Sequence, residues 1–88
     1  MEVIISEHAR FEMARRQVSE ELVTDVVGNP QQVLKLGGKR SVCQSRYYDQ
    51  IEGKEMLLRV VCEQRHNALL VVTAYKTSKI DRYWRKER

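Results

Sequence analysis

Long apolar runs are missing from this chain. No stretch of about 18 apolar residues occurs, so no membrane-spanning helix and no membrane partner are expected. Cysteine is scarce: Cys43 and Cys62 are the only two and neither sits in a Cys-x-x-Cys pair. A disulfide-built secreted scaffold would carry more, so both are read as small apolar residues filling space in strands. The four glycines form neither a phosphate-binding loop nor a dinucleotide fingerprint. His8 and His66 stand far apart and no Cys/His spacing suits zinc. The expected metal content and the expected cofactor content are therefore none. The start, Met1-Glu2-Val3-Ile4-Ile5, is too short and too acidic for a secretory signal. The expected compartment is the cytoplasm.

What is present fits one domain spanning residues 1–88. A chain of this size buries only roughly 60–65% of its unfolded surface, so the core is thin and function belongs on a surface or in a shallow groove. Charge is unevenly placed. From Lys76 onward six basic residues face two acidic ones, whereas residues 1–75 carry ten of each sign. This basic tail, about residues 76–88, accounts for the whole formal excess of +4. It attracts a polyanion in one reading and is a solubilising end in the other.

Apolar spacing and caps set the expected elements. Val3-Ile4-Ile5 is a short strand laid beside a later sheet. Ser6 caps a helix from Glu7 to Arg16, with Ala9, Phe11, Met13 and Ala14 on its apolar side. Ser19 caps a second helix with Leu22, Val23, Val26 and Val27 as its stripe. Gly28-Asn29-Pro30 ends it, the glycine taking the left-handed position. Gly37-Gly38 marks a hairpin. Ser41–Tyr48, Glu55–Cys62 and Ala68–Tyr75 read as strands, the last two joined through Arg65-His66-Asn67. No helix-length segment separates them, so the sheet is antiparallel. The expected fold is α+β: two N-terminal helices on an antiparallel β-meander of about four strands. Ile80, Tyr83 and Trp84 add a short C-terminal amphipathic helix.

Candidate chemistry rests on a few side chains. His8 opens the first helix, where the dipole favours a neutral imidazole suited to general-base work; simple capping is the competing reading. Arg59 interrupts an apolar strand and shares a face with Leu57 and Val61. With Arg46 on the neighbouring strand it suits phosphate capture. Cross-strand ion pairs with Glu55 or Glu63 explain it equally well. Thr73 and Tyr75 share a face, and Tyr75 and Lys79 suit the stabilisation of a developing phosphate charge; ordinary strand roles are the alternative.

These residues also resemble a family. Ser6-Glu7-His8-Ala9 through Glu12-Met13-Ala14-Arg15-Arg16-Gln17-Val18-Ser19 is similar to the HA-x-x-RM-x-x-RGIS opening of the bacterial domain-of-unknown-function family numbered forty-two fifty-eight. Asn29-Pro30, Arg46, Leu58-Arg59-Val60-Val61 and the closing VVTAYKTSKI at residues 71–80 resemble the rest of its pattern. That family looks related to the RelE-like superfamily, including BrnT-type toxins. The resemblance implies helices first and then an antiparallel sheet, and a metal-free cut in RNA. It places His8, Arg59 and Tyr75 as catalytic candidates, with Arg16 and Lys79 beside them. Arg46 and Arg82 join Arg16 and Lys79 as nucleic-acid contacts. Glu12 stands where the family pattern has Arg, and Gln17 where it has Gly. The second departure is expected to strain the turn between the helices.

The functional expectation is a metal-independent endoribonuclease of the toxin type, in which the RNA 2′-hydroxyl is the nucleophile. The alternative is a non-catalytic module binding nucleic acid or protein. The expected partners are RNA and, for a toxin, an acidic antitoxin-like protein. Exposed sheet edges invite pairing into a homodimer.

Overall fold

Two serine caps start the helical layer. The Ser6 hydroxyl accepts from the Ala9 N–H at 3.0 Å and opens α1 (Glu7–Arg15). Ser19 accepts from the Leu22 N–H at 3.1 Å and opens α2 (Glu20–Gly28), with Glu20 and Glu21 in its first turn. These bonds satisfy N–H groups that have no partner inside a helix. The structure, a computed structural model, describes residues 2–86. Met1 of the apolar start, and Glu87 and Arg88 of the basic tail, lie outside the described residues. No described helix is long and apolar enough to cross a membrane.

The sheet has five strands: β1 (Glu2–Ile5), β2 (Gln32–Gly37), β3 (Arg40–Asp49), β4 (Lys54–Arg65) and β5 (Ala68–Thr77), in the order β1-β5-β4-β3-β2. The last four form the expected meander. β1 runs parallel to β5 in the register Ile5↔Val71, so the sheet is mixed rather than wholly antiparallel. The crossing from one edge to the other is made by α1 and α2, which is what a parallel pairing requires. A single-turn α3 (Ile80–Tyr83) follows β5. Gly37 and Gly38 take φ of +121° and +58° in the β2–β3 turn, conformations that glycine enters without a steric cost.

One face of the sheet carries the core. Cys43, Leu58, Val60, Cys62, Val71 and Ala74 pack under Ala9, Met13, Val23, Val26 and Val27. Both cysteines are free and buried in this layer. Hydrogen bonding to Cys43 and burial push the Cys62 thiol up, so it stays protonated and apolar. Three local expectations differ from what forms. Phe11 is 66% exposed; it lies half a turn from the buried Ala9 and Met13, and Glu12 takes the inward position instead. Gly28 stays helical and Asn29, at φ −149°, caps α2. Lys76 is not part of a free tail: β5 runs to Thr77, and the Lys76 side chain is 8% exposed against Asp49.

Candidate nucleic-acid interface

Strand alternation sends every second residue to the face without helices. In β4 that puts Arg59 opposite the Leu58 and Val60 side, and the register pairs Arg59 with Gln44 on β3 and Tyr75 on β5. The three side chains form one row. Arg59 Nε donates to Gln44 Oε1 at 2.9 Å, and Arg59 Nη1 donates to the Tyr75 hydroxyl at 2.5 Å. Neither Glu55 nor Glu63 pairs with Arg59. Glu63 is taken by Arg40 at 3.0 Å and by Arg65.

Arg46 stands two residues along β3 from Gln44, on the same face and diagonal to Arg59. Its guanidinium lies 4.4 Å from the Trp84 ring centre, while that of Arg59 lies 4.3 Å from the Tyr83 ring. Arg82 borders Tyr83 at 5.9 Å. Among the described residues no carboxylate lies within 4.0 Å of Arg46, Arg59 or Arg82. Rings and amides hold these cations, and among the described residues no ion pair compensates their charge. Stacked guanidinium–aromatic pairs of this kind contribute about 0.5–2 kcal/mol each.

The remaining candidates sit elsewhere. Arg16 follows α1 at the open edge of β5, where β1 has already ended. Its Nη1 donates to the Ala74 carbonyl at 3.0 Å and to Thr73 Oγ1 at 3.3 Å, and its Nη2 lies 2.8 Å from Glu12. A groove of about 560 Å³ runs along that edge, lined by Arg16, Glu52, Tyr75, Lys76, Thr77 and Ser78. Lys79 is exposed at the start of α3, and its backbone N–H donates to Thr77 Oγ1 at 3.0 Å. His8 is exposed on α1, in the helical layer, whereas Arg59 projects from the opposite face of the sheet. The structure therefore brings Arg59, Tyr75 and Arg46 together and sets His8 in another layer. His66 lies in the two-residue β4–β5 turn at φ +41°.

Sequence reasoning missed the glutamines. Gln44 is fully buried and Gln32 donates and accepts beside it, but uncharged amides announce no chemistry. Alternation from Arg46 was the available signal for Gln44. It also missed Asp49, the last residue of β3. Its carboxylate is held well below the usual range, first by the Glu52 backbone N–H, then by the Tyr47 hydroxyl and Lys76. Burial and the bond to Asp49 push the Tyr47 phenol up in return.

The profile of a domain of unknown function, DUF4258, matches residues 5–76. The chain belongs to the DUF4258 family. No curated protein and no solved structure matches it. The DUF4258 match takes in Arg16, Arg46, Arg59 and Tyr75, and it ends before α3 and Trp84. Inside it, the departure at Gln17 has a structural counterpart. Gln17 adopts φ +58° between α1 and α2, a left-handed conformation that costs a residue with a side chain about 1–2 kcal/mol.

Proposed function

We propose that this chain is an RNA-binding module that holds a single strand on the helix-free face of its sheet. One observation carries the reading. Arg46 and Arg59 project from adjacent strands beside Tyr75 with no carboxylate partner among the described residues, and each guanidinium already accepts an aromatic ring, that of Trp84 or of Tyr83. Cations that can track a backbone and whose planes take a stacked ring are what a single-strand site needs. A duplex is disfavoured, because its bases are already stacked on one another and are not free to lie on these groups.

Cleavage is the second reading, favoured by the Tyr75 hydroxyl held at 2.5 Å from Arg59. In a metal-independent endoribonuclease of the RelE-like type, that hydroxyl is placed to protonate a leaving oxygen while Arg59 offsets phosphate charge. The reaction also needs a base for the 2′-hydroxyl. His8, the candidate base, opens α1 in the other layer, so the geometry supports binding better than cutting.

The experiment is an incubation of end-labelled single-stranded RNA with the protein in excess chelator, read by gel shift and by product sizing. Retarded, intact RNA supports the binding module. Fragments whose formation Tyr75→Phe abolishes establish the nuclease. RNA neither retarded nor cut at low salt overturns both.

A further inference from the structure

The segment after β5 lies back over the row it follows. Its contacts fall into two kinds, both of which a nucleotide can also make. Two are stacked: the Trp84 ring against Arg46 and the Tyr83 ring against Arg59. The others are peptide contacts. Gln32 Nε2 donates to the Arg85 carbonyl at 2.6 Å while Gln32 Oε1 accepts from the Arg85 N–H at 3.0 Å. Gln44 Nε2 donates to the Tyr83 carbonyl at 3.1 Å. A glutamine amide that donates and accepts at once presents the pattern with which it reads the N6/N7 edge of adenine. A ring lying on a guanidinium occupies the place of a stacked base.

The helix that opens the segment is slight. α3 has one turn, no buried residue and no side-chain cap. Beyond it the chain is extended, with Trp84 at φ −71° and ψ 124°. Residues 80–86 also carry Arg82, Arg85 and Lys86 against Asp81 alone. A segment of net positive charge is thus folded over two guanidinium groups that have no acidic partner among the described residues, and Coulomb repulsion opposes its closure. A polyanion laid on the same row reverses that sign.

We infer that residues 80–86 are a pseudo-ligand strap: in the free protein they occupy a base-reading site formed by Gln32, Gln44, Arg46 and Arg59, and single-stranded RNA displaces them. This rests on the RNA-binding reading and adds the position of the bases and a self-imposed barrier to binding. The row crosses three strands about 4.8 Å apart, roughly 10 Å in all, which fits two or three nucleotides. Adenine is the base whose edge suits the Gln32 amide, while Gln44, its Oε1 taken by Arg59, offers a donor alone. A site closed about nine-tenths of the time binds roughly tenfold more weakly than the open site.

Trp84 is the only tryptophan, so its emission reports the strap without a label. A short oligoadenylate is titrated into the full chain, with oligouridylate for comparison and Trp84→Ala as the variant. Affinity is read by anisotropy of the labelled RNA, and strap position by Trp84 emission and by tryptic cutting after Arg82 and Arg85. Displacement predicts a red-shifted Trp84 emission and faster cutting at both sites as RNA saturates. It also predicts about 3–10-fold tighter binding by Trp84→Ala and a preference for oligoadenylate. Binding by Trp84→Ala that is equal or weaker, or protection of Arg82 and Arg85 by RNA, overturns the strap and leaves the RNA-binding reading standing. Failure of both chains to bind either oligonucleotide overturns that reading and the strap with it.

Discussion

The Arg59 guanidinium donates to the Tyr75 hydroxyl across two adjacent antiparallel strands, 2.5 Å apart, and its other side is held by Gln44. An arginine in the middle of a central strand is tolerated because each polar group it meets is satisfied: no buried side-chain nitrogen or oxygen among the described residues lacks a partner. The same bonds fix the plane of the guanidinium, so one residue both closes the network and positions a cation.

Arg59→Met is therefore expected to cost stability as well as affinity. It leaves the Oε1 of the fully buried Gln44 without its donor, and an unsatisfied buried group costs about 1–3 kcal/mol. Urea unfolding of the variant should show that loss, and Tyr75→Phe a smaller one of about 0.5–1.5 kcal/mol. A variant as stable as the parent would mean that the row is not a cooperative network.

Asp49 and Lys76 give the molecule an acid-sensitive anchor. The pair is 3.0 Å apart with both side chains under 10% exposed, and it ties the end of β3 to the end of β5. Because folding lowers the Asp49 pKa from an ordinary 3.8, its stabilisation is present above about pH 4 and is lost as pH falls below that value. Asp49→Asn removes this part of the acid dependence. It also strands the Lys76 charge, at a cost of roughly 3 kcal/mol, the lower end for a broken buried pair because Glu52 lies 3.8 Å away. Unfolding free energies measured across the acid range check both points: the variant is less stable near neutrality and its curve is flatter below pH 4. An unaltered slope would place the acid response in Glu12 and Glu63 instead.

Much of this fold was legible in the sequence because its signals are local. Ser6 and Ser19 cap, Gly37-Gly38 turns, and Val3 to Ile5 pairs with the sheet edge, each through residue types with a single strong preference. The parallel partner of β1 was not legible, since it depends on where two helices carry the chain. Phe11 is misleading because an aromatic ring suits the inward side, which Ala9 and Met13 already fill. At the site, Arg46, Arg59 and Tyr75 were readable from charge and alternation. Gln32 and Gln44 were not, and Lys76 counted as tail charge because its partner Asp49 is distant in sequence. The layer in which His8 sits was equally out of reach, being set by the packing of α1.

Gln17→Gly tests the left-handed turn between α1 and α2. Glycine relieves the strain of φ +58° and gives back part of the gain as extra chain entropy, leaving about 0.5–1 kcal/mol of stabilisation. The Gln17 N–H bond to the Ala14 carbonyl is backbone and survives. Thermal unfolding should show Tm raised by roughly 2–6 °C. A lowered Tm would show that the Gln17 side chain contributes something the backbone geometry does not require.

The helix-free face as an RNA surface is tested most directly by salt-dependent anisotropy titration of a labelled single-stranded RNA. The parent chain is compared with Arg46→Glu, whose side chain is exposed and has no ion pair to lose among the described residues. The expected result is parent binding that weakens as salt rises, with log K falling by about 0.7 per phosphate contact for each unit of log salt. Arg46→Glu should bind about tenfold or more weakly while remaining folded, with a stability loss no larger than the about 0.5–2 kcal/mol of its Trp84 contact. Identical affinity in the two proteins, or no salt dependence in either, would contradict the account.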